Sequence, residues 1–144
     1  MRYADVLMMY AECLNELGST QQAYTFIQRV RDRSKLPDLA TVKPNMTQAQ
    51  MRDQIAHERF LEFACEGRRY HDLRRWGDAM EAYNRPISGC NVKARSNERQ
   101  KFYTTTILND KLTRRSFSYK HYFYPIPKSV LDKNKNLVQN PEWR

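Results

Sequence analysis

The chain has 144 residues, enough for one domain or part of one with a modest core, and its 25 Lys and Arg against 16 Asp and Glu give a net charge of +9. Four glycines argue against an all-β or loop-rich protein, and they leave no G-x-G-x-x-G or P-loop, so nucleotide binding of those types is excluded. No apolar run is long enough for a transmembrane helix.

Tyr3 to Leu17 carries apolar residues at Val6, Leu7, Met9, Tyr10, Cys13, Leu14 and Leu17, the rhythm of a helix with one buried face. Gly18 stops it. Ser19 or Thr20 then caps a second helix to about Arg33, with Ala23, Phe26, Ile27 and Val30 inward. The short connection makes the pair, residues 1–34, antiparallel, and it resembles one tetratricopeptide unit, with Pro37 after the exit. A single unit cannot bury its own faces. It must stack on later helices or on something absent from the chain, and the start inside an amphipathic helix suggests a fragment. Leu36 to Met46 reads as a proline-bounded loop. Cys13 and Cys65 read as small buried hydrophobes.

Thr47 caps a third helix whose apolar residues are Met51, Ile55, Ala56, Phe60, Phe63 and Ala64, and it runs into a charge-dense motif within residues 47–84. Glu58, Glu62 and Glu66 are spaced four apart, as on one helical stripe, where like charges repel by roughly 0.2–0.5 kcal/mol per pair. Guanidiniums must therefore reach them. The expected source is the next short helix, Arg68 to Trp76, folded back at Gly67, so that Glu58, Arg59, Glu62, Glu66, Arg68, Asp72, Arg74 and Trp76 form a structural ion network. Catalytic readings fail on spacing. His57-Glu58 opens like H-E-x-x-H but Leu61 stands where the second histidine belongs, and neither His57 nor His71 follows a glutamate at three residues. No catalytic residue, metal or cofactor is expected.

Beyond Asn84 the periodicity fades. Residues 85–144 read as an irregular basic connector and a closing tail, with nine Lys and Arg against Glu98 and Asp110 between Arg85 and Lys120. Short strand-like pieces are expected at Phe102 to Leu108 and Phe117 to Tyr119, a helical turn capped by Ser129 at Val130 to Lys133, and Trp143 as an aromatic plug. The basic connector could hold phosphates, but no helix-turn-helix, zinc or RNP-like motif accompanies it, so nucleic acid is not the expected partner.

Three stretches carry a resemblance: YADVLMMYAECLNELG, ERFLEFACEGRRYHDLRRWG and YPIPKSVLDKNKNLVQNPEW, in that order. Together they resemble the SusD/RagB proteins, whose motif ERRxELxxEGxRxxDLxRWG is matched with Phe60, Cys65 and His71 as departures. Near the end, Val130 and Lys135 depart as well. The resemblance implies a mainly α fragment of an α/α superhelix: a tetratricopeptide-like pair, further helices and an irregular C-terminal segment. It further implies a non-catalytic oligosaccharide- or nutrient-binding lipoprotein on the outer face of the outer membrane. Its partner would be a SusC-like TonB-dependent transporter, and its signal and lipid anchor would lie outside this chain. No binding residue of the family maps onto a matching motif. By chemistry alone, stacking candidates for sugar rings are Tyr83, Phe102, Tyr103, Phe117 and Tyr119. The alternative reading is a protein-interaction scaffold with no small-molecule ligand of its own.

Overall fold

The computed structural model describes residues 2–90, 97, 105–108 and 115–143. Two compact units, residues 1–69 and 70–144, divide inside the fifth helix and are taken separately.

In the first unit α1 (Tyr3–Glu16) and α2 (Thr20–Arg33) form a helical pair, and α1 also packs on α4 (Gln48–Glu62). Gly18 sits at φ +82° with open space around its Cα, so left-handed backbone, not crowding, requires glycine there. Ala11 and Ala23 are fully buried, and their size lets the helices close on a core that includes Met8, Ile27, Leu39, Met51 and Ile55. Asn15 is buried at the end of α1 because its amide is used on both sides. Its Nδ2 donates to the Gln48 carbonyl (3.0 Å) and its Oδ1 accepts from the Thr20 hydroxyl (2.9 Å), tying three helix ends together.

The inward face expected for α1 is corrected. Asp5, Leu7, Met8, Ala11 and Asn15 are buried, whereas Val6, Met9, Tyr10, Cys13 and Leu17 are exposed. The helix is apolar on two sides, and packing covers only one of them. Cys65 is likewise exposed, not buried.

Two further expectations change in this unit. The Leu36–Met46 loop contains a one-turn helix, α3 (Leu39–Val42), because the Asp38 carboxylate caps it by accepting from Thr41 N at 2.8 Å and Leu39 buries its side chain. The loop is then fixed by the Tyr24 hydroxyl, which donates to the Lys43 carbonyl (2.7 Å) and accepts from Met46 N (2.9 Å). Helix α4 starts in a capping box of Thr47 and Gln50 but ends at Glu62, four residues before Glu66. Cys65 at φ +64° and Gly67 at φ +72° turn the chain there, so Glu66 is off the helical stripe.

The second unit holds most of α5 (Arg68–Trp76), then α6 (Ala79–Asn84), the strands β1 (Ile87–Cys90) and β2 (Thr105–Leu108), a 3-10 turn at Tyr119–Tyr122 and α7 (Lys128–Lys133). The strands pair antiparallel with Ile87 opposite Leu108 and Cys90 opposite Thr105. A Cβ at Gly89 would lie 3.2 Å from a methyl of the exposed Leu108, closer than ordinary contact, so that side chain would have to shift by a few tenths of an ångström. The strand expected at Phe117–Tyr119 is instead a buried Phe117 leading into the 3-10 turn, whose N-cap is Ser118. Helix α7 begins at Lys128 with Pro127 as its N-cap, two residues before the expected Ser129 cap. Among the described residues no helix is long and apolar enough to cross a membrane.

Candidate functional site

In the first unit the acids find guanidiniums from unexpected places. Asp5, on α1, is buried against Arg59 of α4 (3.2 Å) and also meets Arg68 at 3.4 Å. Glu58, buried, is bonded by Arg31 from α2 and by Gln54 Nε2 at 2.8 Å, and Gln54 in turn accepts from Lys43 Nζ at 2.7 Å. Glu62 accepts from Arg2 (2.7 Å) and Arg33 (2.6 Å). Arg2 continues onto both Glu66 oxygens, at 2.6 and 3.2 Å, and donates to the Glu62 carbonyl at 2.9 Å. These bonds, to Glu66 first and then to Glu62, raise the Arg2 pKa above its ordinary value. The glutamates are thus met from Arg2, Arg31 and Arg33, which correct the expected source in α5. Of that helix's arginines, Arg68 turns to Asp5 and Arg69 lies 5.1 Å from the Phe60 ring.

The remaining residues of the expected network lie in the second unit. Asp72 is buried and accepts from Arg75 Nε at 3.0 Å, and Arg75 lies 4.7 Å from the Trp76 ring. Arg74 meets rings instead of acids. Its guanidinium sits 5.1 Å from the Tyr70 centroid and 4.7 Å from that of Tyr124, and it donates to the Tyr122 carbonyl. The eight residues thus fall into separate groups; those of Glu58, Arg59, Glu62, Glu66 and Arg74 join segments distant in sequence, whereas Asp72, Arg75 and Trp76 meet within α5. Such carboxylates are occupied as acceptors, and among the described residues no three His, Cys, Asp or Glu side chains cluster as a metal site would need. A groove of about 600 Å³ beside α4 is lined by Lys43, Gln50, Asp53, Gln54 and His57 among others, but Lys43, Gln50 and Gln54 bond within the protein there.

Aromatic rings dominate the second unit. Phe117 is buried, stacked on Tyr83 at 5.6 Å and edge-on to Tyr122 at 5.2 Å, over Leu73 and Ala79. Asn84 holds Phe117 by both backbone groups at 2.8 Å. Beyond Tyr122 the chain turns outward, and Tyr119, Phe123 and Tyr124 are 55%, 49% and 64% exposed. The Tyr119 and Phe123 centroids lie 6.1 Å apart. This ledge is supported from behind. Trp143 Nε1 donates to the carbonyls of Lys120 (2.9 Å) and Phe123 (3.1 Å), Asn140 Nδ2 donates to that of Tyr124 (2.6 Å), and the Gln139 amide bonds both backbone groups of Ile126. The Tyr124 hydroxyl reaches that of Tyr70 at 3.5 Å. That bond raises the Tyr70 pKa and lowers that of Tyr124, and the Arg74 charge also lowers Tyr124.

Of the stacking candidates, Phe117 and Tyr83 are committed to packing, Tyr119 is open, and Phe102 and Tyr103 lie outside the described residues. Sequence reasoning missed Phe123 and Tyr124. The signal was present, since three aromatics in a row before a proline cannot all face one core: Tyr122 faces it, and the next two do not.

A family model described as the SusD family matches residues 1–143. The SusD-like protein P38 of Formosa agariphila is 36% identical over 93 residues, 61% of this chain and 18% of that protein. A solved SusD-like carbohydrate-binding protein from Bacteroides fragilis NCTC 9343 is 31% identical with a TM-score of 0.75, over 96% of this chain and 28% of its own. The surface glycan-binding protein A from Bacteroides thetaiotaomicron is 26% identical with a TM-score of 0.62, over 97% and 24%. This chain therefore spans between 18% and 28% of these relatives' lengths.

Proposed function

We propose, from the premise that this chain belongs to the SusD family, that it is part of a non-catalytic oligosaccharide-binding component of an outer-membrane uptake complex. Its partner in that reading is a SusC-type transporter and its place the outer face of the outer membrane. The observation that carries the reading is the likeness, over 96% of the chain, to a structure described as carbohydrate-binding. The exposed rings of Tyr119, Phe123 and Tyr124 supply a surface of the right chemistry: flat apolar faces for sugar rings, with polar backbone and charged groups beside them for hydroxyls.

Titrating the chain with oligosaccharides of defined length, by calorimetry and tryptophan fluorescence, tests this. Saturable binding that falls when Tyr119 and Phe123 are both replaced by Ala is the expected result. No binding to any saccharide, alone or with a transporter partner present, would refute it. One observation favours the scaffold reading: α1 shows Tyr3, Val6, Tyr10 and Leu17 on its outer side. A partner protein that binds when no saccharide does, and that is lost on Tyr10→Glu, would decide for it.

A further inference from the structure

Charge is distributed unevenly over the described residues. Arg2, Arg31, Arg33, Arg52, Arg59 and Arg68 of the first unit each meet a carboxylate. Arg29 and Arg69 of the same unit lie against rings instead, 5.4 Å from Tyr3 and 5.1 Å from Phe60, and around the aromatic ledge three cations share that second arrangement. Lys120 is next to Tyr119 in the chain, and its Nζ lies 4.9 Å from the Trp143 ring, while no carboxylate meets it among the described residues. Arg115 lies 5.7 Å from the Tyr83 ring and donates to the Arg85 carbonyl at 3.3 Å, again with no acid among the described residues. Arg74, between the rings of Tyr70 and Tyr124, has its Nε buried with no hydrogen-bond partner. Asp72 and Glu81 are engaged by Arg75 and Arg85, and Asp78, Asp132 and Glu142 make no ion pair with these three cations among the described residues. The sequence agrees: nine cations less two acids between Arg85 and Lys120 contribute +7 of the chain's +9.

Cations held against rings, with no acid beside them among the described residues, keep their charge available to a bound anion. We propose that the saccharide taken by this ledge is an acidic one, bearing carboxylate or sulfate groups. Sugar faces stack on Tyr119, Phe123 and Tyr124 while the anionic groups meet Lys120 and, in a longer glycan, the exposed Arg115 of the same unit. This rests on the glycan-binding reading above and narrows its substrate class. A neutral glycan would leave these charges to water, and in that case their clustering beside the rings would add nothing to binding.

The test is calorimetry of the full chain with three hexasaccharides of equal length, one neutral, one of uronic acid and one sulfated, at low and high salt. Either acidic probe should bind about tenfold or more tightly than the neutral one at low salt, and the advantage should shrink toward 1 M salt, where the screening length is about 3 Å. Lys120→Gln and Arg115→Gln should each lower acidic affinity by about two- to fivefold and leave neutral affinity alone. Unchanged melting of both variants is checked first. Tyr119→Ala with Phe123→Ala should lower both kinds of binding. Preference for the uronate or for the sulfated probe identifies which anion is read. Equal affinity for neutral and acidic probes would overturn the inference and leave the glycan reading intact, whereas binding of none removes both. Acidic binding that survives loss of both rings, or that inorganic polyphosphate matches, would also overturn it, as unselective attraction to charge.

Discussion

Replacing Asp5 with Asn should destabilise the protein by about 3 kcal/mol, near the lower end of the cost of breaking a buried ion pair. The Asp5 and Arg59 side chains are each 4% exposed and meet at 3.2 Å. Removing the Asp5 charge leaves the buried Arg59 guanidinium short of this carboxylate, and Arg59 cannot reach water without repacking. Two features hold the loss to the lower end. Arg68, the second partner at 3.4 Å, is 37% exposed and can return to solvent, and Arg59 keeps the Phe63 ring at 5.1 Å. For a chain of this size a loss of that order lowers Tm by roughly 10 °C. The double variant Asp5→Leu with Arg59→Met removes both charges and should recover most of the loss, because the stranded charge, not the missing attraction, sets the cost. Urea unfolding followed by far-UV circular dichroism measures both, provided the m-value is unchanged. A single-variant loss below about 1 kcal/mol would place the pair in water and refute the reasoning. A double variant as costly as the single one would show that the hydrogen-bond geometry itself, not the stranded charge, is what matters.

Asn15→Ala should cost about 2 kcal/mol, because it removes two hydrogen bonds made by a fully buried side chain, to the Gln48 carbonyl and from the Thr20 hydroxyl; an unchanged melting temperature would count against the three-helix tie. The pair of Glu16 and Arg52 gives a pH signature. Hydrogen bonding to Arg52 holds the Glu16 pKa below its ordinary value, so its contribution is fully present above the unfolded carboxyl's pKa, about 4.3, and is lost as pH falls through the lower folded value. Glu16→Gln should therefore melt below the wild type at neutral pH and converge with it in acid. A gap independent of pH would disprove the linkage.

The helices were readable from the chain because their boundaries are local: Gly18 needs left-handed backbone, and Thr47 with Gln50 closes a capping box within one turn. Which face of α1 is buried was not local. Its outer residues Tyr3, Val6, Tyr10 and Leu17 are as apolar as the buried Leu7, Met8 and Ala11, and the choice between the faces is made by Ala23 and by Asp5 and Asn15. Those two polar side chains go inward because Arg59 and Gln48, far along the chain, receive them. The same limit applied to the glutamates. Adjacency in sequence suggested α5 as the donor, while Arg2, Arg31 and Arg33 reach them across 60, 27 and 29 residues.

On the glycan-binding reading, the closing motif serves the ledge through its few less exposed residues, Gln139, Asn140 and Trp143. A backbone turned toward solvent over residues 119–126 has few partners in regular secondary structure, so side chains must supply them. Trp143, Asn140 and Gln139 do so from the tail, and Arg74 from α5. Each of these bonds is modest alone, on the order of 1 kcal/mol. Together they hold Tyr119, Phe123 and Tyr124 outward without the ordering cost that a free loop would incur on binding. In that reading the tail positions the rings without having to touch a ligand, and a variant such as Asn140→Ala should weaken saccharide binding by loosening the ledge although it removes no stacking ring.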